Sequence, residues 1–232
     1  MSRLRPLLAL LTVLVALASC TPDKAKTTAA ADTLPAGDTL LKDSAAAMRD
    51  IKTAQFLITA DGAIAGLSLR RAEGTLTKEG NAKGTAQIDQ SGANVELSFV
   101  IVGDKIYLKG PTGGYQALPL TLAASVYDPS AILDADRGIA KVLSTATDAK
   151  TEASESVDGT AAWRVAATMA GTDLAAVVPG TTGNVPGKAW ISTADKRLLK
   201  ATFTLPDSGD AKGGTVTVTF KEFDAPVTIS AP

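Results

Sequence analysis

Ala82-Lys83-Gly84-Thr85-Ala86-Gln87-Ile88-Asp89 changes character at every residue, small or apolar at the even positions and polar at the odd ones. A period of two marks a strand with one face against a core, because successive side chains leave a pleated backbone on opposite sides. Downstream, Val95, Leu97, Phe99 and Ile101 keep the period; Gly103-Asp104 turns the chain into a strand at Lys105–Lys109, and Gly110-Pro111-Thr112-Gly113-Gly114 turns it again. Upstream, Ala54, Phe56, Ile58 and Ala60 share a face, Asp61-Gly62 predicts a turn, and 66–77 reads as a long strand with an irregularity at Arg70-Arg71. This half of the chain is an antiparallel meander.

Helices punctuate the rest. Leu40, Leu41, Ala45, Met48 and Ile51 recur at helical spacing, which predicts a helix capped by Asp38 and running to Lys52. Asp128-Pro129 starts a short helix through Leu133. Asp134 or Asp136 caps a second, with Ile139, Val142, Leu143 and Ala146 on its apolar face. Strands resume near Thr151 and include Trp163-Arg164-Val165. A short helix over 172–178 stops at Pro179-Gly180, and strands follow at 189–192, 198–205, 215–223 and 227–229. The sum is one α+β domain over 38–232, a large antiparallel sheet of roughly ten strands with helices grouped on one face.

The N-terminus carries different chemistry. Arg3 and Arg5 precede an apolar run from Leu7 to Leu17 that is broken only by Thr12. A bilayer needs about 20 such residues, so the run fits the core of a secretory signal peptide and not a span. It ends in Leu17-Ala18-Ser19-Cys20, the pattern of a bacterial lipobox, and Cys20 is the only cysteine of the chain. Residues 1–19 are expected to be removed and Cys20 acylated. The mature chain then has 21 basic against 24 acidic residues, and two or three acyl chains hold it to the extracytoplasmic face of the cell membrane. Residues 20–37 lack apolar periodicity and read as a flexible tether.

Composition excludes much else. The chain has 232 residues, no His and one Cys, so no Ser-His-Asp triad, Cys-His dyad or histidine–cysteine zinc site exists in it. A charge balance of 23 basic to 24 acidic residues leaves no footprint for nucleic acid. Gly183-Asn184-Val185-Pro186-Gly187-Lys188-Ala189 mimics a phosphate loop but is one residue short between its glycines and lacks the Ser/Thr. Asp134-Ala135-Asp136-Arg137-Gly138 opens like a calcium loop, yet Thr145 stands where the bidentate Glu belongs. No cofactor, metal site or catalytic residue is expected. A carboxylate pair acting on sugars is the one enzymatic alternative, since its partners need no sequence spacing.

Aromatic residues make up only 4% of the chain, and small residues such as Ala82, Gly84 and Ala86 occupy inward strand positions. Either helices pack closely over them or they border a space for acyl chains. Several stretches are similar to the mycobacterial LppX/LprA/LprF/LprG family of envelope lipoproteins: Gly66-Leu67-Ser68-Leu69, the segment from Val126-Tyr127-Asp128-Pro129 to Ala140, Val185-Pro186-Gly187-Lys188-Ala189-Trp190-Ile191, and Ala225-Pro226-Val227-Thr228-Ile229. The resemblance covers nearly everything from Leu34 onward. It implies a strongly curved half-barrel with helices on its concave side over an apolar cavity. Its ligand would be an acylated phospholipid or glycolipid, carried within or across the envelope with an efflux-type membrane transporter as partner. Combined with strand and helix parity, it nominates Phe56, Ile58, Ala86, Ile88, Leu97, Phe99, Ile132, Ile139, Val142 and Leu143 as lipid-binding residues. Arg70 and Arg71 are candidates for a phosphate at the mouth. The competing expectation is a non-catalytic envelope scaffold or interaction lipoprotein with a fully packed core.

Overall fold

The computed structural model describes residues 34–90, 92–123 and 129–232. The signal peptide, Cys20 and the tether up to residue 33 lie outside them, as does the expected Asp128 cap. In chain order the elements are α1 (Gly37–Arg49), β1 (Thr53–Ala63), β2 (Leu69–Thr77), β3 (Ala82–Gln90), β4 (Ala93–Val102), β5 (Lys105–Lys109), β6 (Gln116–Pro119), α2 (Leu120–Ala123), a 3-10 turn (Pro129–Leu133), α3 (Ile139–Thr145), β7 (Thr147–Val157), β8 (Thr160–Met169), α4 (Gly171–Leu174), β9 (Val185–Ser192), β10 (Leu198–Leu205) and β11 (Gly213–Lys221).

The strands form one open antiparallel half-barrel of 11 strands in the order β6-β5-β4-β3-β2-β1-β11-β10-β9-β8-β7. Two meanders are joined where β11 pairs with β1, so β6 and β7 end up at opposite edges. That topology explains the helical layer. The chain leaves the sheet at one edge and re-enters at the other, so the segment between β6 and β7 has to cross a face, and it carries the 3-10 turn and α3 with it. Helix α1 packs beside α3 and approaches β7, β8 and β9. We call this the covered face.

Register gives the covered face its rows. Ile58, Val218, Ala201, Ala189 and Val165 are successive partners across β1, β11, β10, β9 and β8, and all are buried. Ile106, Ile101, Ala82, Leu76 and Ala54 form a second buried row across β5 to β1. Leu40, Leu41, Ala45 and Met48 of α1 join the same core, and the Met48 sulfur accepts the Leu198 N–H at 3.4 Å.

Several local expectations are corrected. Ala36, not Asp38, stands at the α1 cap; Asp38 lies in the first turn, where a carboxylate still favours the helix N-terminus. Residues 34–36 already belong to the body, because Thr151 Oγ1 donates to the Pro35 carbonyl. Gly138 caps α3, whereas Asp134 accepts the backbone N–H groups of Asp136 and Arg137 one turn earlier. The short helix α4 ends at Leu174, well before Val178. Asp61-Gly62 is not a turn. Gly62 has φ +98 and faces Gly214 across β1 and β11, where a Cβ would come within 2.5 Å of the Gly213 carbonyl oxygen. Residues 227–229 pair with no strand. After β11 the chain is pulled aside at Asp224, whose N–H donates to the Thr53 carbonyl while its carboxylate accepts the Lys52 N–H and pairs with Arg197. The irregularity at Arg70 is present as a register shift between Leu69 and Arg71.

Candidate functional site

Helical cover is uneven. It is concentrated over β7–β9, while the 3-10 turn lies over β2 and α2 flanks β5 and β6. On the covered face of β3, β4 and β5, Ala86, Ile88, Leu97 and Leu108 are only half-buried. Ala86, Ile88 and Leu108 pack against the core, together with Leu120 of α2. Ala86 and Leu97 are direct cross-strand partners, as are Ile88 and Val95. These side chains form a contiguous apolar patch that runs from sealed core at Ile58 and Ala72 toward solvent.

The ten nominated residues all sit in this layer, but they divide. Phe56, Ile58, Phe99, Ile132, Ile139, Val142 and Leu143 are 5% exposed or less and belong to one core cluster. Only Ala86, Ile88 and Leu97 remain half-buried. Sequence reasoning missed Leu108 and Leu120. Leu108 was within reach, since it shares the parity of Ile106 in a strand that was recognised; Leu120 had no signal, being on a four-residue helix.

Gly84 is small for a third reason, foreseen by neither sequence reading. It faces Gly74 across β3 and β2, and a Cβ on it would lie 2.0 Å from the Glu73 carbonyl oxygen. The two backbones approach too closely there for any side chain on Gly84.

The open face is polar. Glu152 accepts from Arg164 and Lys188 at 2.9 Å each, and Glu155 from Arg164 at 2.8 Å and from the Trp190 indole N–H. The indole and Arg164 hold the Glu155 carboxyl below its usual range; Lys188 and Arg164 do the same for Glu152. Lys200 lies 4.6 Å from the Trp190 ring centroid. Two adjoining grooves share Leu57, Asp158 and Thr219, and the one of about 530 Å³ is lined also by Glu155, Trp190, Lys200 and Thr217. The β7–β8 hairpin tip contributes Val157 and Asp158 to this groove, and the two strands carry two register shifts nearer their other end. This lining mixes charged and apolar side chains, with Leu57 and Val157 beside Glu155, Asp158 and Lys200.

Arg70 and Arg71 are both committed. Arg70 donates to the Gly62 carbonyl and pairs with Asp89 at 3.0 Å, and Arg71 pairs with Glu73 at 2.7 Å. The Gly92 N–H and Arg70 together lower the Asp89 carboxyl. No helix among the described residues is long and apolar enough to cross a membrane.

A family model described as LppX_LprAFG lipoprotein matches residues 36–229. The chain is 32% identical over 208 residues to the lipoarabinomannan carrier protein LprG of Mycolicibacterium smegmatis, covering 86% of this chain and 84% of that one. It is likewise 32% identical over 222 residues to the LprG of Mycobacteroides abscessus, covering 94% and 92%. The crystal structure of LprF from Mycobacterium bovis superposes with a TM-score of 0.73 at 25% identity, over 84% of this chain and 96% of that one. Mycobacterium tuberculosis LppX shares the fold, with a TM-score of 0.63 at 17% identity over 83% and 97%.

Proposed function

The chain belongs to the LppX_LprAFG lipoprotein family, and from that premise we propose that it binds the acyl chains of a phospholipid or glycolipid against the covered face of β3–β5 and carries that lipid within or across the cell envelope. The observation that carries the reading is the half-buried apolar patch of Ala86, Ile88, Leu97 and Leu108, on a face that is sealed across β8–β11. The LprG relatives are lipoarabinomannan carrier proteins, which supports an acylated glycolipid as the class of cargo.

The physics is that of a shield. Each CH₂ withdrawn from water contributes about 0.8 kcal/mol, so one long acyl chain supplies roughly 10 kcal/mol against the ordering cost of binding. A bilayer offers the chain the same relief, so loading and unloading need no bond to form or break. Nothing in this scheme asks for an acid, a base or a metal. Release to an efflux-type transporter would only require a competing apolar surface.

Cys20 is the proposed anchor, acylated after removal of residues 1–19, with the body held on the extracytoplasmic side. Cys20→Ala should move the protein from the detergent phase to the aqueous phase; unchanged partitioning would place the anchor elsewhere.

A packed scaffold is the reading to beat, because seven of the ten nominated residues are sealed among protein atoms. The separating experiment is solvent extraction and mass spectrometry of protein expressed from Thr21 onward. The carrier reading expects a stoichiometric acylated lipid, unaltered after prolonged incubation. An empty protein would leave the scaffold.

A further inference from the structure

Three of the four large apolar side chains that stand exposed among the described residues fall at one sheet edge: Tyr115 at 41%, Leu118 at 38% and Leu122 at 65%. They belong to β6, its entry and α2. Two lysines border them. Lys105 faces Pro119 across β5 and β6, and the Lys109 ammonium lies 5.9 Å from the Tyr115 ring centroid. Neither lysine is ion-paired within the described residues.

The composition of this edge is unlike the rest of the chain. From Lys105 to Ala123 there is no Asp or Glu, and Tyr107 and Tyr115, two of the 3 tyrosines of the protein, fall within it. Tyrosine rings at headgroup depth, leucines just below and lysines reaching to anionic headgroups are what a bilayer interface selects. An added protein strand is the alternative occupant of a sheet edge. Here it is disfavoured, because β6 is four residues long and ends in a proline.

The edge also borders the candidate site. Leu118 pairs with Ile106 on the covered face, and Gln116 pairs with Leu108 of the half-buried patch. We propose that the β5–β6–α2 edge is a bilayer-docking surface. Leu118 and Leu122 enter the interface, Tyr115 lies among the headgroups, and Lys105 and Lys109 bind anionic lipid. Docking in this orientation turns the open side of the apolar patch toward the membrane from which a lipid would be taken. The inference rests on the carrier reading for its purpose, but its geometry is tested separately.

The test uses the acylated protein reconstituted into vesicles, with one introduced cysteine labelled with an environment-sensitive fluorophore; the unsubstituted protein serves as the blank. Labels at Leu122→Cys and Leu118→Cys should shift to shorter wavelength in phosphatidylglycerol-containing vesicles and be quenched by headgroup-depth nitroxide lipids. A label at Ser154→Cys, on the opposite edge strand β7, should stay in water. Adding Lys105→Ala and Lys109→Ala should abolish the dependence on anionic lipid, since each lysine near such a surface is worth about fivefold in binding. Labels at 118 and 122 as wet as the one at 154 would overturn docking. So would shielding seen only when native membrane proteins are added, which would make the edge a protein contact. Lipid extraction of the same samples separates the two claims: bound lipid with wet labels overturns docking alone, and buried labels without bound lipid overturn the carrier reading alone.

Discussion

One sheet carries two wings that are packed to different standards. In β8–β11, Val165, Ala189, Ile191, Leu198, Phe203 and Val218 are sealed. In β3–β5, one end of the same face is buried at Ala82, Phe99, Ile101 and Ile106, but Ala86, Ile88, Leu97 and Leu108 are only half-buried. The strands have the same alternation and similar apolar residues, so strand chemistry is not the cause. The difference comes from connectivity. Helix α1 precedes β1 and α3 precedes β7, and both settle over the β7–β9 side. A small inward residue is therefore no sign of a binding space by itself. Ala189 is small and sealed, Gly84 is small because a backbone passes beside it, and Ala86 is small beside open surface.

Truncation should show the contrast most strongly. Phe203→Ala in the sealed wing should cost about 3–5 kcal/mol in denaturant unfolding, as buried aromatic deletions do. Leu97→Ala should cost under about 1 kcal/mol, because its side chain is already partly in solvent. Equal losses at both sites would mean that the wings are packed alike. Next in size is Gly84→Ala, at about 3 kcal/mol by thermal unfolding, because the new Cβ would lie 2.0 Å from the Glu73 carbonyl oxygen. A neutral outcome would show that the close β2–β3 approach relaxes freely.

The open face provides the smallest effect. Glu155 titrates below its ordinary value of about 4.3 when folded, held there by the Trp190 indole and Arg164. A carboxyl whose folded value is depressed binds fewer protons in the native state. Its contribution is present above about pH 4.3 and fades as pH falls through the lower folded value. Glu155→Gln should lower stability slightly at neutral pH and flatten the acid limb, so that the variant and the wild type converge at low pH, a small effect as suits an exposed pair. An unaltered acid limb would show that the network is inert.

Much of the fold was legible because parity is local. Phe56 and Ile58 in β1, the row from Ala82 to Ile88 in β3 and the bulge at Arg70 follow from residue spacing alone. What failed was non-local. Gly62 looked like a turn until Gly214 stood opposite it, and β6 was hidden because Gln116–Pro119 buries neither face. Residues 227–229 have a strand-like spelling but no free edge beside them. The site was half legible for the same reason. Parity assigns Ile58 and Ala86 to one face, and only where α1, the 3-10 turn and α3 settle decides which of them is sealed.

The most direct test of the account is a matched pair of indole insertions on that face. Ala189→Trp enters the sealed wing and should cost about 1–3 kcal/mol or more by overpacking. Ala86→Trp enters the open wing and should leave the ligand-free thermal midpoint near wild type while sharply lowering co-purified lipid by mass spectrometry. A wild type that carries no lipid, with Ala86→Trp as destabilised as Ala189→Trp, would contradict the carrier and leave a packed scaffold in its place.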